Sequence, residues 1–170
     1  MWQPDKRSSE AEDFVCEAIR RHVDGAQVVR SRHAAFDMEL TLPHGTKRTY
    51  EIKADFMAQR TGNVYFEIAN TYKHAPSGLR ATRADVWAHY VPHLALVLLF
   101  DPQALLWYLT LHEHDMPQWV TKTQPNRGDK NSMGYLIPLQ KLCSVKWAQH
   151  IHISSQATDL APDVAERCET

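Results

Sequence analysis

The chain has 170 residues, of which 44% are hydrophobic and 23% are charged, and its formal net charge is -1. This is the profile of one ordinary soluble globular domain. The longest apolar run, residues 94–100, is far shorter than the roughly 20 residues of a membrane-spanning helix, and residues near Met1 do not resemble a signal peptide. We therefore expect a cytoplasmic protein with one domain over residues 1–153 and an acidic tail over 154–170.

The three cysteines, Cys16, Cys143 and Cys168, are odd in number and widely spaced. They form neither a disulfide framework nor a CxxC metal motif, so we expect reduced thiols.

Charge is segregated along the chain. Residues 44–83 contain seven Lys or Arg and three Asp or Glu. Residues 84–119 contain no Lys or Arg and four Asp or Glu, and residues 120–150 contain five Lys or Arg and one Asp or Glu. Two basic blocks thus flank an acidic one. This pattern allows a basic face for a polyanion, and ordinary surface variation explains it equally well.

The first half of the chain predicts one helix and a series of strands. Helical spacing of apolar residues predicts a helix over Glu10–His22, and Val28 with Val29 predicts a short strand. Three further segments, 36–42, 49–54 and 64–69, alternate apolar and polar residues, so each strand should have one buried and one polar face.

The second half predicts another helix and further strands. The helix would run from Thr82 to about Tyr90, with Thr82 as N-cap and Asp85 completing a capping box. Strand-like segments follow at 93–100, 104–111, 134–139 and 145–153. The order predicts an α/β protein with a central mixed β-sheet flanked by helices.

Two strands carry charged residues that can meet on one polar face. Glu51 and Lys53 project from the same face about 6.6 Å apart, while Ile52 points to the core. Asp37 lies on the preceding strand. It shares that face if the residue numbers of two cross-strand partners add to 88 or 90, and it points to the opposite face if they add to 89. For an even sum, the loop between the two strands must have an odd number of residues or contain a bulge.

Two carboxylates and an ammonium group on one face suit a hard divalent cation, which prefers oxygen ligands. The lysine can orient a metal-bound water and offset charge that develops on a phosphate. A surface ladder of salt bridges is the alternative interpretation of the same residues.

These residues resemble a known family. Phe36-Asp37-Met38-Glu39 followed by Tyr50-Glu51-Ile52-Lys53 is similar to the PD-(D/E)xK nuclease superfamily, in particular its Holliday-junction-resolvase-like and phage endonuclease members. The stretches 62–67 and 77–87 resemble phage-encoded members too. The resemblance covers residues 9–111 and implies a restriction-endonuclease-like core.

The resemblance also implies a catalytic site. Asp37, Glu51 and the backbone carbonyl of Ile52 would bind Mg²⁺, with Mn²⁺ able to substitute, and Lys53 would be the catalytic lysine. A glutamate of the first helix often joins such sites. Glu12 is the first choice and Glu10 the second, although Ser9 and Glu12 also match a capping box.

Residues around the motif suggest contacts to nucleic acid. Glu67 could join the site or form a salt bridge to Lys53. The start of the helix predicted at Thr82 could hold a phosphate with its backbone N–H groups. The predicted phosphate contacts, each of which could instead be an ordinary surface residue, are Lys47, Arg48, Arg60, Lys73, Arg80, Thr82 and Arg83.

The sequence therefore predicts a Mg²⁺-dependent DNA endonuclease. By resemblance it would leave 5′-phosphates, prefer branched or junction DNA, act as a homodimer and come from a phage or a bacterial cytoplasm. A non-catalytic nucleic-acid-binding module of a larger assembly is the alternative, and RNA remains open as a substrate.

Overall fold

The computed structural model describes residues 6–31, 35–115, 121–123, 132–146 and 148–152, so the expected tail at 154–170 and Cys168 lie outside the described residues. The helices of this part are α1 (Lys6–His22), α2 (Ala58–Thr61), α3 (Pro102–Asp115) and α4 (Leu139–Cys143). Its strands are β1 (Gln27–Arg30), β2 (Met38–Thr41), β3 (Lys47–Ala54), β4 (Asn63–Asn70), β5 (Ala75–Pro76), β6 (Val86–Val91), β7 (Leu96–Phe100), β8 (Thr121–Thr123), β9 (Ser132–Pro138) and β10 (Gln149–His152).

Six strands form a mixed sheet in the order β1-β2-β3-β6-β7-β10. The pairing of β3 with β6 is parallel, and the other four pairings are antiparallel. The expected α/β fold with a mixed sheet flanked by helices is therefore confirmed.

A second, four-stranded sheet has the order β5-β4-β9-β8. The prediction of one central sheet was incomplete, because β4 leaves the meander that β1, β2 and β3 begin. Both edges of β3 are already used, by β2 on one side and β6 on the other. The next strand therefore pairs with β9 instead.

The apolar core has two layers. One lies between α1 and one face of the six-stranded sheet, and it includes Val15, Ile19, Met38, Tyr50 and Ile52. The other lies between the two sheets and α3, and its large side chains include Phe66, Trp87, Phe100, Leu105 and Tyr135. The six-stranded sheet is thus covered on both faces.

The helix predicted from Thr82 to Tyr90 is wrong, because residues 86–91 form strand β6 with every residue buried. A strand covered on both faces loses the alternation that identifies strands in a sequence. Asp85 does not cap a helix either. Its carboxylate accepts hydrogen bonds from the backbone N–H and the hydroxyl of Thr49.

The strand predicted over residues 104–111 is also wrong, because this segment lies within α3. Asp101 accepts hydrogen bonds from the backbone N–H groups of Gln103 and Ala104, and Pro102 is the first helical residue. This is an N-cap followed by proline at N1, which starts a helix.

The other predicted segments contain the expected elements, with shifted ends. Helix α1 begins at Lys6 rather than Glu10, so Ser9 lies inside the helix and the capping box is not formed. Strands β7 and β10 form within the segments predicted at 93–100 and 145–153, and β9 overlaps the segment predicted at 134–139 but begins two residues earlier. Among the described helices, none combines the length and the apolar character needed to cross a membrane.

Candidate active site

The register between β2 and β3 has the parity that the shared face requires. Met38 pairs with Tyr50 and Glu39 with Thr49, so paired residue numbers add to 88. The connection from Thr41 to Lys47 contains the five residues 42–46, an odd number. The predicted parity is therefore confirmed over the paired residues, and the pairing ends at Met38, next to Asp37.

The Asp37 carboxylate is fixed by the backbone around it. The Asp37 N–H donates to the carbonyl of Tyr50 at 2.8 Å, and its own carbonyl accepts from the N–H of Ser31 at 2.8 Å. Its Oδ2 accepts from the N–H of Ile52 at 2.7 Å. The side chain therefore lies beside β3, at the residue that precedes the first residue of β2.

Three side chains come together beside the second half of β3, and they belong to Asp37, Glu51 and Lys53. The Lys53 Nζ lies 2.5 Å from Glu51 Oε1 and 4.0 Å from Asp37 Oδ2. It also lies 6.0 Å from the centre of the Trp87 ring. Trp87 and His89 are the β6 partners of Glu51 and Lys53, so the cluster borders the core between the two sheets.

Burial and mutual charge shift the ionisation of this cluster. Burial raises the pKa of Glu51 above its ordinary value, and the Asp37 charge adds to this against the opposing effect of Lys53. Burial would lower the pKa of Lys53, but Glu51, Asp37 and Glu12 together raise it. The raised pKa holds Lys53 as an ammonium group beside the side chains of Glu51 and Asp37.

Glu12 lies at the border of this cluster and is paired with an arginine that sequence reasoning missed. The Arg30 guanidinium donates to Glu12 and, at 2.6 Å, to Asp13. Burial and the nearby Asp37 charge raise the pKa of Glu12 in spite of Arg30. Glu10 instead pairs with Lys6 at 3.5 Å on the exposed side of α1. The geometry thus favours Glu12 over Glu10.

The donor set fits a magnesium-type ion in its chemistry. Asp37 and Glu51 supply carboxylate oxygens, and such ions are often bound by one or two carboxylates with water and a substrate phosphate. The N–H and C=O of one strand residue point the same way, so the Ile52 carbonyl faces the Asp37 side together with its N–H. Within the part of the chain that the structure describes, no three His, Cys, Asp or Glu residues form a complete ligand group.

Glu67 does not contact Lys53 among the described interactions. It lies on β4 in the second sheet, and its carboxylate accepts a hydrogen bond from the Ser77 hydroxyl. The alternatives proposed for Glu67, a site residue or a salt bridge to Lys53, are therefore replaced by a local role in holding the β5 segment.

The predicted phosphate contacts are spread over several loops and strand ends. Lys47 is bonded to Glu39 at 2.7 Å, and together with Arg48 it lines a cavity of about 490 Å³ at the start of β3. The other exposed cations of the set lie after β3, β4 and β5, and they are Arg60, Lys73, Arg80 and Arg83.

Thr82 does not begin a helix. Its hydroxyl accepts a hydrogen bond from the Ala84 N–H at 3.2 Å in the segment before β6. The expected phosphate site on helical N–H groups is therefore absent at this position.

Asp55 is the second important residue that sequence reasoning missed. Its Oδ1 accepts hydrogen bonds from the N–H groups of Met57 and Ala58, and its Oδ2 accepts one from Tyr65. The buried His89 lies with Nε2 3.9 Å from Asp55 Oδ2. Burial favours the neutral carboxyl, but His89 and the backbone donors hold the pKa of Asp55 below its ordinary value.

Solved structures similar to this chain include a homing endonuclease. No protein-family model matches the sequence, and no curated protein matches it. The chain is similar to the bacterial homing endonuclease I-Ssp6803I, at 13% sequence identity and a TM-score of 0.49. The alignment covers 96% of this chain and 88% of the homing endonuclease.

Proposed function

We propose that the protein is a metal-dependent DNA endonuclease. The observation that carries the proposal is the meeting of Asp37, Glu51 and Lys53 beside strand β3, with Lys53 Nζ 2.5 Å from Glu51 and 4.0 Å from Asp37. Carboxylates can hold a divalent ion that activates a water, and a neighbouring lysine can offset the charge that develops on a phosphate.

In this proposal each residue has a distinct task. Asp37 and Glu51, with the Ile52 carbonyl, would hold Mg²⁺ or Mn²⁺. When bound, such an ion would supply Lewis-acid chemistry, that is, a more acidic water and a polarised scissile phosphate. Lys53 orients the attacking water and offsets the negative charge that develops on the phosphate. The Arg30 guanidinium holds Glu12 beside the cluster, where Glu12 can accept a proton or bind a water of the ion.

The proposed substrate is DNA with branched or junction structure, cut to leave 5′-phosphates by a homodimer. Exposed cations such as Arg60 in α2 and Arg83 before β6 support binding to a phosphate backbone. Such contacts position a duplex without reading its sequence.

The test is cleavage of labelled linear, flapped and four-way-junction DNA, with a matching RNA strand, in Mg²⁺, Mn²⁺ or EDTA. We expect cleavage by the native protein with either metal and none in EDTA. Lys53→Ala should lower the rate at least a hundredfold, in the range usual for loss of a group that stabilises charge in the transition state.

Lys146→Ala is the matched control, because Lys146 is an exposed lysine that follows α4. It should cut at the native rate. DNA binding without cleavage under any metal would support the non-catalytic module instead, and neither binding nor cleavage would refute the proposal.

A further inference from the structure

Two adjacent apolar side chains project into solvent directly after the candidate active site. Phe56 and Met57 occupy the turn between β3 and α2, and they are 42% and 50% exposed. Single exposed apolar residues are common on protein surfaces. Here two such residues, Phe56 and Met57, are adjacent, and they begin three residues after the candidate catalytic residue Lys53.

The turn is held rigidly at its first end by Asp55. The Met57 and Ala58 N–H groups donate to Asp55 Oδ1 at 2.9 and 3.0 Å, and the Asp55 N–H donates to the Tyr90 carbonyl of β6 at 2.9 Å. With the Tyr65 N–H of β4 bonded to Oδ2, the backbone and the carboxylate of this one residue together tie the turn to both sheets.

The other end of the turn is held by Gly62. Its φ of +68° is the left-handed conformation that ends a helix, and its N–H donates to the Ala58 carbonyl at 2.8 Å. The Gly62 carbonyl accepts from the N–H of Leu139 at 2.9 Å. Since both ends are fixed, Phe56 and Met57 cannot fold back into the core without breaking these bonds.

Cationic groups surround this apolar tip. The Arg7 guanidinium lies 5.6 Å from the centre of the Phe56 ring, and the exposed Arg60 lies one helical turn beyond Met57. Lys53 is three residues before Phe56, a chain distance of at most about 10 Å. An apolar tip among cations matches the pattern by which proteins bind phosphates while inserting a side chain between bases.

We propose that Phe56 and Met57 form an apolar wedge that contacts an unstacked base of the DNA beside the cleaved phosphodiester. The proposal rests on the proposed nuclease function and deepens it. Separating stacked bases is least costly where a base is already unpaired. The wedge therefore selects flaps, gaps and junctions over intact duplex, and it supplies a physical basis for structure-selective cutting.

The test measures base unstacking with 2-aminopurine placed at the branch point of a flapped DNA. The proteins carry Lys53→Ala so that the DNA stays intact, with Phe56→Ser, Met57→Ser or both added. We expect a fluorescence increase on binding of the Lys53→Ala protein, and loss of that increase in the double variant. The affinity for flapped DNA should fall about tenfold, as for loss of one stacking side chain, and the affinity for linear duplex should change less.

Trp107→Ser in the same background is the control. Trp107 is 68% exposed on α3, so its removal takes away similar apolar surface at another place. An equal loss of fluorescence and affinity in this variant would overturn the wedge, because the effect would then be general. If Phe56→Ser alters folding, the fluorescence and affinity of the Met57→Ser variant test the wedge instead.

Failure of the wedge and failure of the nuclease proposal give different results. If the native protein cuts DNA while 2-aminopurine fluorescence does not rise on binding, the wedge is wrong and the nuclease stands. If the protein neither binds nor cuts any DNA, both are wrong.

Discussion

At the scale of single residues, Asp37 has two separable roles. Its Oδ2 accepts a hydrogen bond from the N–H of the buried Ile52, and its charge contributes to the cluster with Lys53. The first role is structural and needs only an acceptor. The second is electrostatic and needs an ionised carboxylate. A pair of substitutions can separate the two.

Asp37→Asn should keep the fold and lose cleavage, because an amide oxygen still accepts the hydrogen bond but carries no charge. Asp37→Ala should lose both and lower the free energy of unfolding by about 1–3 kcal/mol, since the Ile52 N–H is left without an acceptor. Urea denaturation and the DNA cleavage assay measure the two effects. Native-like cleavage by Asp37→Asn would exclude Asp37 as a metal ligand.

At the scale of secondary-structure elements, local patterns predicted some strands well and failed for others. Alternation identified β2, β3 and β4 because each has one buried and one polar face. It failed for β6, where all six residues are buried, and for α3, whose apolar residues are spread around the helix. Burial on two faces removes the periodicity in β6, whereas in α3 the exposed apolar residues Trp107 and Leu111 obscure it.

The pairing of β4 with β9 depends on a glycine that no local pattern identifies. Gly134 lies on β9 opposite Glu67, next to a register irregularity between Glu67 and Ala69. A Cβ at this position would lie 2.2 Å from the Phe66 carbonyl oxygen. The two strands approach too closely there for any side chain.

Gly134→Ala should therefore lower the free energy of unfolding by about 3 kcal/mol, the upper range for overpacking, because backbone atoms must move apart. Gly45→Ala is the control. Gly45 has a φ of +88°, but no atom lies within 4 Å of the place that a Cβ would take, so only backbone strain of about 1–2 kcal/mol is expected. Urea denaturation of both variants measures the two losses of unfolding free energy. Equal losses would contradict the close approach of β4 and β9 at Gly134.

At the scale of the whole molecule, the candidate site was predictable only in part. Asp37, Glu51 and Lys53 were identified because two adjacent strands and the parity of one hairpin place them together. Arg30 and Asp55 were not, since their partners come from distant elements: Glu12 on α1 for Arg30, and His89 on β6 for Asp55. Only the assembled fold brings these groups into contact.

Asp55 links the two sheets, so its loss should affect the stability of the whole protein. Asp55→Ala leaves three backbone N–H groups without their acceptor and should lower the free energy of unfolding by about 3 kcal/mol or more. Asp101→Ala is the matched control, because Asp101 caps an exposed helix start through two N–H groups and its loss should cost about 1 kcal/mol.

The pH dependence of the Asp55 contribution follows from its lowered pKa. A carboxyl whose folded pKa lies below its ordinary value of 3.8 stabilises the fold fully above that pH, and the contribution is lost as the pH falls through the folded pKa. The stability difference between the native protein and Asp55→Ala should thus be constant above about pH 5 and shrink below 3.8. Urea denaturation across this range measures it. A stability difference that grows as the pH falls would mean that Asp55 is a neutral acid in the folded protein. The hydrogen bonds of Asp55 would then join the two sheets without a negative charge beside His89.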